Sequence, residues 1–367
     1  MRRIVHYYPG AMGHSGVTFA LWSWARAQAA SGAEVCVLHA PPSRPSYDVA
    51  FVSKECGPGL TAQTVPHRGR HRLMMRPLNL HHYLGRNDLL VLHEGWVPSN
   101  VIAAAAARRA NVPYVVIPHG VYERAWTEYL KGPLWLRKGV ERMLLERAAA
   151  VHLFFDSETR DAQALAPGAT FFAVPTGFDL PRDRWSGGGG YLGWIGRVDP
   201  VHKGLDALVG AIAQLPPADR PELRIHGYDY RGGFARLQQL VATHGLGRWV
   251  RLDGAIAGEE KLHFLQQADG YIHPSRWECH SMALLESLAL GVPCLVSSRI
   301  HIAATLERSR AAVLSAPSEP ALAAAFTQLD SEGPQLGGRG RALVHDAFNW
   351  RQLMPQFYST LSRLGLS

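Results

Sequence analysis

Residues 271–296 read YIHPSRWECHSMALLESLALGVPCLV, and the meaning of the whole chain turns on this stretch. An apolar strand ends at Pro274, a loop carries Glu278, and a helix opening near His280 places Glu286 on its second turn before Gly291 and Pro293 stop it. Two carboxylates therefore flank one helix start. The first turn of a helix offers unpaired N–H groups and the positive end of a dipole, so a diphosphate is at home there, with carboxylates on either side to accept hydrogen bonds from sugar hydroxyls. That geometry suits a nucleotide sugar. Taken singly, Glu278 also reads as a loop charge and Glu286 as a solvated helix position.

A length of 367 residues fits two domains, each able to bury its own core. With 47% hydrophobic and 19% charged residues the composition is globular, which excludes disordered and fibrous classes. The opening MRRIVHYYPG carries no apolar segment of the secretory kind, and apolar runs elsewhere stay below the roughly 18 residues a membrane span needs, so a cytoplasmic protein is expected. Cys36, Cys56, Cys279 and Cys294 form no CxxC pair. Reduced thiols, no metal site and a packing role for Cys279 are the expectation.

The net charge of +8 asks for an anionic partner: a phosphate-bearing substrate, a membrane surface or nucleic acid. Basic residues gather at 66–77, where Arg68, Arg70, Arg72 and Arg76 surround Leu73, Met74 and Met75, and again at 135–147, WLRKGVERMLLER. Both stretches read either as segments that lie on anionic headgroups at the inner membrane face or as solvated faces beside ordinary core residues. No nucleic-acid-binding module is recognisable, so nucleic acid is not an expected partner.

In chain order, a strand at 4–8, the loop PGAMGHSG at 9–16, a helix to about Ala30 and a strand at 34–39 open a doubly wound sheet. Gly10, Gly13 and Gly16 do not form GxGxxG, which argues against a dinucleotide site, but a glycine loop at a strand's carboxyl end lets a ligand approach the backbone. Strands at 49–52, 88–92 and 113–117 follow, and His119 and Gly120 come directly after the last, at the sheet edge where open α/β folds bind ligands. After a helix at 134–149 and strands at 150–155 and 171–174 comes PTGFDLPRDRWSGGGG. Its four glycines, Gly187 to Gly190, read as a flexible connection between domains.

The second half restarts with a strand at 191–195 and GRVDPVHKG at 196–204, leading into a helix. Arg197 and Lys203 can converge on a phosphate pair in that turn, with glycines at both ends letting the backbone close in. The plainer alternative is a basic surface loop. Strands at 222–226 and 249–252 precede the central stretch, and a strand at 312–314 with helices at 318–330, 337–347 and 350–364 follows it.

Together and in this order, the glycine loop, His119–Gly120, the PTGFD turn at 175–179, Arg197 with Lys203, and Glu278 with Glu286 resemble the retaining glycosyltransferases of family 4. The resemblance implies the GT-B fold, two Rossmann-like doubly wound α/β domains facing a central cleft. It also implies an acceptor-binding domain at 1–180, a nucleotide-sugar-binding domain at 191–350, and a C-terminal helix at 351–367 crossing back to the first domain. Arg197 and Lys203 would bind the donor diphosphate, Glu286 the ribose and Glu278 the transferred sugar, while His119 would line the site near that sugar's C6 side. Amides near Ser281 and Met282 would cap a phosphate, Gly13 and Gly120 would border the ligand, and backbone near Tyr228 and Ile256 would meet the base. The implied reaction is metal-independent, cofactor-free transfer of a hexose-type sugar to a glycan or lipid-linked acceptor by same-face displacement. An inverting GT-B transferase or a silent nucleotide-sugar-binding subunit are the alternatives. Family members usually carry glycines where this chain has Cys279, His280 and Ser281, and SSRIHIAATLE at 297–307 replaces another glycine-bearing segment.

Overall fold

The computed structural model describes residues 2–13, 15–41, 55–69, 75–127, 130 and 132–367. The strand expected at 49–52, and Arg70, Arg72, Leu73 and Met74 of the first basic stretch, lie outside the described residues. The chain divides into two compact units, one of residues 1–177 with 350–367 and one of residues 178–349.

The first unit holds β1 (Arg3–Tyr7), β2 (Val35–His39), β3 (Leu60–Thr64), the short pair β4 (His67–Arg68) and β5 (Arg76–Pro77), β6 (Asp88–His93), β7 (Tyr114–Ile117), β8 (Ala150–Leu153) and β9 (Phe171–Ala173). Seven of these form one sheet in the order β3-β2-β1-β6-β7-β8-β9, with every neighbour parallel. Continuous apolar runs such as VCVLH and YVVI produce this arrangement, because a strand covered by helices on both faces has no polar side to present. The strand order reverses at β1, so the crevice a ligand can use lies beyond the carboxyl ends of β1 and β6. The helix Trp350–Arg363 belongs to this unit, as the resemblance implied. Its buried Trp350 and Phe357 meet Trp24 at ring distances of 4.9 and 5.0 Å.

The second unit holds β10 (Leu192–Val198), β11 (Leu223–Asp229), β12 (Val250–Asp253), β13 (Gly270–His273), β14 (Cys294–Ser297) and β15 (Val313–Ser315). They form one sheet in the order β12-β11-β10-β13-β14-β15, again all parallel. Here the order reverses between β10 and β13. Both sheets and their flanking helices are doubly wound and α/β, as the sequence suggested.

Two expectations need correcting. The four-glycine stretch is not a loose connection: the Trp185 N–H donates to Leu290 O at 2.9 Å, Ser186 and Gly187 donate to Gln266 O, and Gly188 donates to the Asp269 carboxylate. It is fastened to the second unit, and the chain passes between units near Gly177, where a side chain would collide with Trp350. The helices expected at 318–330 and 337–347 are one helix, Glu319–Ala347, running through Pro334. Its glycines serve packing, since a Cβ on Gly337 would lie 2.0 Å from Gly291 O and one on Gly340 would lie 2.9 Å from Leu288. Loss of the Pro334 N–H is offset by burial of that face against the turn at Gly291.

Among the described residues no helix is long and apolar enough to cross a membrane. The buried core includes neutral histidines. Burial lowers His6 from 6.5 to about 4 against an opposing hydrogen bond to the Gln28 side-chain oxygen, and lowers His152 to about 4 against one to Val174 O. The unfolded chain binds these protons below about pH 6.5 while the folded chain refuses them until about pH 4, so stability rises with pH across that window. Melting temperature should fall steadily as pH drops from 6.5 towards 4, and His152→Phe should flatten that fall. An unchanged slope in the variant would remove His152 from the account.

Candidate active site

The carboxyl ends of β10 and β13 carry a cluster of charged side chains. Arg197 is the next-to-last residue of β10 and Lys203 lies in the following turn, held by its N–H to Asp199 O at 2.9 Å. Gly204, the helix N-cap, adopts φ 66°. A Cβ there would meet Pro274 O at 2.0 Å, so glycine is needed both for the turn and for its approach to the β13 loop. Lys203 Nζ is ion-paired with Glu278, and both are largely shielded, at 13% and 17% side-chain exposure. Burial pushes the Glu278 carboxyl up, but Lys203, His202 and His273 outweigh it and hold the group well below the ordinary carboxylate range. Glu278 is therefore an anion at neutral pH, able only to accept.

His202 lies at the centre of this cluster. It accepts from Arg197 Nη2 at 2.7 Å, donates from Nε2 to Trp277 O at 3.0 Å and stacks on Trp277 at 4.5 Å, and burial followed by Lys203 drops its pKa to about 3. A neutral ring with its proton on Nε2 is what lets Nδ1 accept from a cation. Arg276 fastens the same loops, reaching both Asp206 oxygens at 2.7 and 3.0 Å. The Arg197 guanidinium sits 4.2 Å from the Tyr230 ring, and its buried Nε finds no acceptor among the described residues. A buried charged donor left without a partner points to an anionic ligand.

Ser281 caps the helix Met282–Leu290, accepting from Leu284 N at 3.3 Å, and Gly291 closes it at φ 89°. The helix thus opens two residues later than expected, because the Ser281 side chain replaces the missing intrahelical acceptor at the first turn. Glu286 stands on the second turn, bound to Lys261 at 2.6 Å. The replacement segment has a role of its own, since His301 N–H donates to Glu278 O at 3.2 Å. Tyr228, next to last in β11, lies opposite Arg197 in register and is 44% exposed, and Ile256 follows β12 on the same edge. Arg197, Lys203, Glu278, Ser281, Met282, Glu286, Tyr228 and Ile256 thus share one sheet edge.

Gly13, His119 and Gly120 lie in the first unit. Gly13 closes a turn onto Gly10 O at 3.0 Å beyond β1. His119 and Gly120 both take left-handed backbone, φ 58° and 73°, immediately after β7. Sequence reasoning did not single out His202, Tyr230, Lys261 or Arg276, because their partners come from other loops and no local spacing marks them. It also passed over Glu94, which has φ 65° and accepts from Tyr8 Oη at 2.5 Å. Among the described residues no group of His, Cys, Asp and Glu side chains gathers to hold a metal ion.

Residues 15–177 match the family described as "Glycosyl transferase 4-like domain", and residues 189–331 match "Glycosyl transferases group 1". The chain is built of glycosyltransferase domains in the GT-B fold. One curated relative, the O-antigen chain mannosyltransferase B of Escherichia coli, is 29% identical over 110 residues, a match spanning 30% of this chain and 29% of that protein. In fold, these glycosyltransferase domains are similar to sucrose-phosphate synthase of Thermosynechococcus elongatus, at 20% identity and TM-score 0.79 over 99% of this chain and 100% of that one. They are also similar to Anabaena HepE in complex with UDP-glucose, at 17% identity and TM-score 0.81 over 99% and 100%.

Gly204→Ala should disrupt the loop after β10 by forcing a side chain into left-handed backbone and into Pro274 O, at a cost of roughly 3 kcal/mol. Thermal denaturation would register it; a melting temperature equal to the parent's would show that the turn yields without cost.

Proposed function

We propose that this chain is a metal-independent retaining glycosyltransferase, moving a hexose-type sugar from a nucleoside-diphosphate sugar to a glycan or lipid-linked acceptor. The observation that carries this reading is a shielded Lys203–Glu278 ion pair on the same sheet edge as Arg197, whose buried Nε finds no acceptor among the described residues, and as the Ser281-capped helix that bears Glu286. The relative named as a mannosyltransferase and the neighbour held with UDP-glucose support a hexose donor of this class. On this reading residues 191–350 bind the nucleotide sugar and residues 1–180 the acceptor.

The chemistry follows from the charges. As the bond between the anomeric carbon and the phosphate oxygen lengthens, negative charge grows on the diphosphate and positive charge on the sugar ring. Arg197, Lys203 and the N–H groups at Met282 meet the growing negative charge. Glu278 holds sugar hydroxyls and Glu286 the ribose, each exchanging a lysine contact for a ligand contact. The acceptor oxygen attacks the same face that the diphosphate leaves, and its proton passes to the departing phosphate oxygen. Because Lys203 meets a charge that peaks in the transition state, its removal costs turnover more than binding.

Nucleoside diphosphate release from UDP-, GDP-, ADP- and dTDP-sugars in EDTA, comparing the parent with Glu286→Ala, tests the assignment. One donor should be cleaved and the variant should lose it; Lys203→Ala should lower kcat by about 100-fold while donor affinity changes far less. An inverted product anomer would replace the retaining mechanism, and donor binding without turnover in the presence of acceptor would favour a silent subunit.

The helix Leu134–Glu146 supports a peripheral position on an anionic membrane surface. Trp135 is 77% exposed and Leu136 49%, beside the cationic Arg137 and Lys138. Such apolar groups flanked by cations fit the headgroup boundary. Sedimentation with phosphatidylserine vesicles should weaken in Trp135→Ser/Leu136→Ser, and equal binding by variant and parent would remove this surface from the reading.

A further inference from the structure

In the first unit three histidines are joined ring to ring. His6 leaves β1, His93 ends β6 and His119 follows β7, three neighbouring strands of the sheet. His119 Nε2 lies 2.9 Å from His93 Nδ1, His93 Nε2 lies 2.8 Å from His6 Nδ1, and His6 Nε2 lies 2.7 Å from the side-chain oxygen of Gln28. His6 and His93 are fully buried and Gln28 is 1% exposed. Asn100 Nδ2 pins the backbone at the middle of the relay, donating to His93 O at 3.1 Å and Glu94 O at 2.8 Å.

Each contact needs one proton between its two atoms, so the direction of the relay is set at its end. The Gln28 oxygen only accepts, which places a proton on His6 Nε2 and leaves His6 Nδ1 with a lone pair. That lone pair requires a proton on His93 Nε2, and the same step requires one on His119 Nε2. Gln28 cannot take up a proton, so the chain of rings ends there and is no route for proton transfer. A second proton on His6 or His93 would put two donors face to face unless the rings beyond it reversed, and the burial of both rings opposes the charge.

We propose that Gln28, acting through His6 and His93, locks His119 in the Nε2–H tautomer, so that its Nδ1 is an acceptor. Gln28, His6 and His93 are positioning residues in this scheme. Its bearing on catalysis rests on the placement of His119 near the C6 side of the transferred sugar that the resemblance to family 4 implies. The lock itself depends only on the first unit.

Long-range proton–nitrogen correlation spectra of the full chain with nitrogen-15 histidine read the tautomers directly. His6, His93 and His119 should all carry the proton on Nε2 in the parent, and Gln28→Met, which fills the space without an acceptor, should release His119 into a mixture. His93→Phe, one link closer, should release it likewise. With an active donor in hand, Gln28→Met should also lower kcat by about 10-fold with little change in KM, the scale on which a histidine loses function when its orienting partner is removed. An Nδ1–H tautomer at His119 in the parent, or an unchanged Nε2–H tautomer in both variants, overturns the lock. If the tautomers match but His119→Ala keeps full turnover, the lock stands and the placement of His119 at the donor falls.

Discussion

An ammonium and a carboxylate withdrawn from water together constrain each other, and Lys203 and Glu278 impose that constraint on the second unit. Each alone would cost several kcal/mol to keep shielded, so the loops bearing them are fixed as a pair. Everything near them fits that requirement. Gly204 lets the first loop reach the second, Arg276 ties the second back to Asp206, and His202 fills the gap while staying neutral. A phosphate arriving beside Lys203 would give it a new anionic partner, and a sugar hydroxyl would give Glu278 a donor. The pair can part without leaving either charge alone.

Much of this was legible in the sequence because it depends on local pattern. Strand, glycine turn and helix mark a doubly wound sheet, and the carboxyl edges follow from strand direction alone, so Arg197, Lys203, Glu278 and Glu286 could be placed on one edge before any coordinates. What escaped the sequence depends on partners distant in the chain. Lys261 meets Glu286 across 25 positions and His202 meets Trp277 O across 75. The glycines at 187–190 misled for a related reason: the same residue type permits a loose turn and a close backbone contact, and only the neighbour decides which.

The histidines show that limit most clearly. There are 18 of them, and the sequence singled out His119 by its place after a strand while giving no reason to choose His6 or His93. Which strands lie side by side decides it: β1, β6 and β7 are adjacent in the sheet but separated by long stretches of chain, so the three rings meet only once strand order is known.

The two units differ in how they prepare their edges. The second relies on paired charge, whereas the first relies on backbone held in uncommon conformations, with Glu94, Trp96 and His119 all at positive φ. Such residues cost of order 1–3 kcal/mol each and persist only where surrounding contacts insist on them. At Trp96 the insistence comes from Glu141. Its side chain is buried in a helix whose sequence reads as basic and amphipathic, and it accepts from Trp96 N at 3.0 Å and Tyr122 Oη at 2.6 Å. Burial raises the Glu141 pKa, while those two hydrogen bonds oppose the rise. Gly95, against Tyr122, has no room for a side chain, so residues 94–96 cannot relax towards that wall. A carboxylate that looks like one more surface charge in the sequence thus holds in place the strained segment beside His93 and the histidine relay.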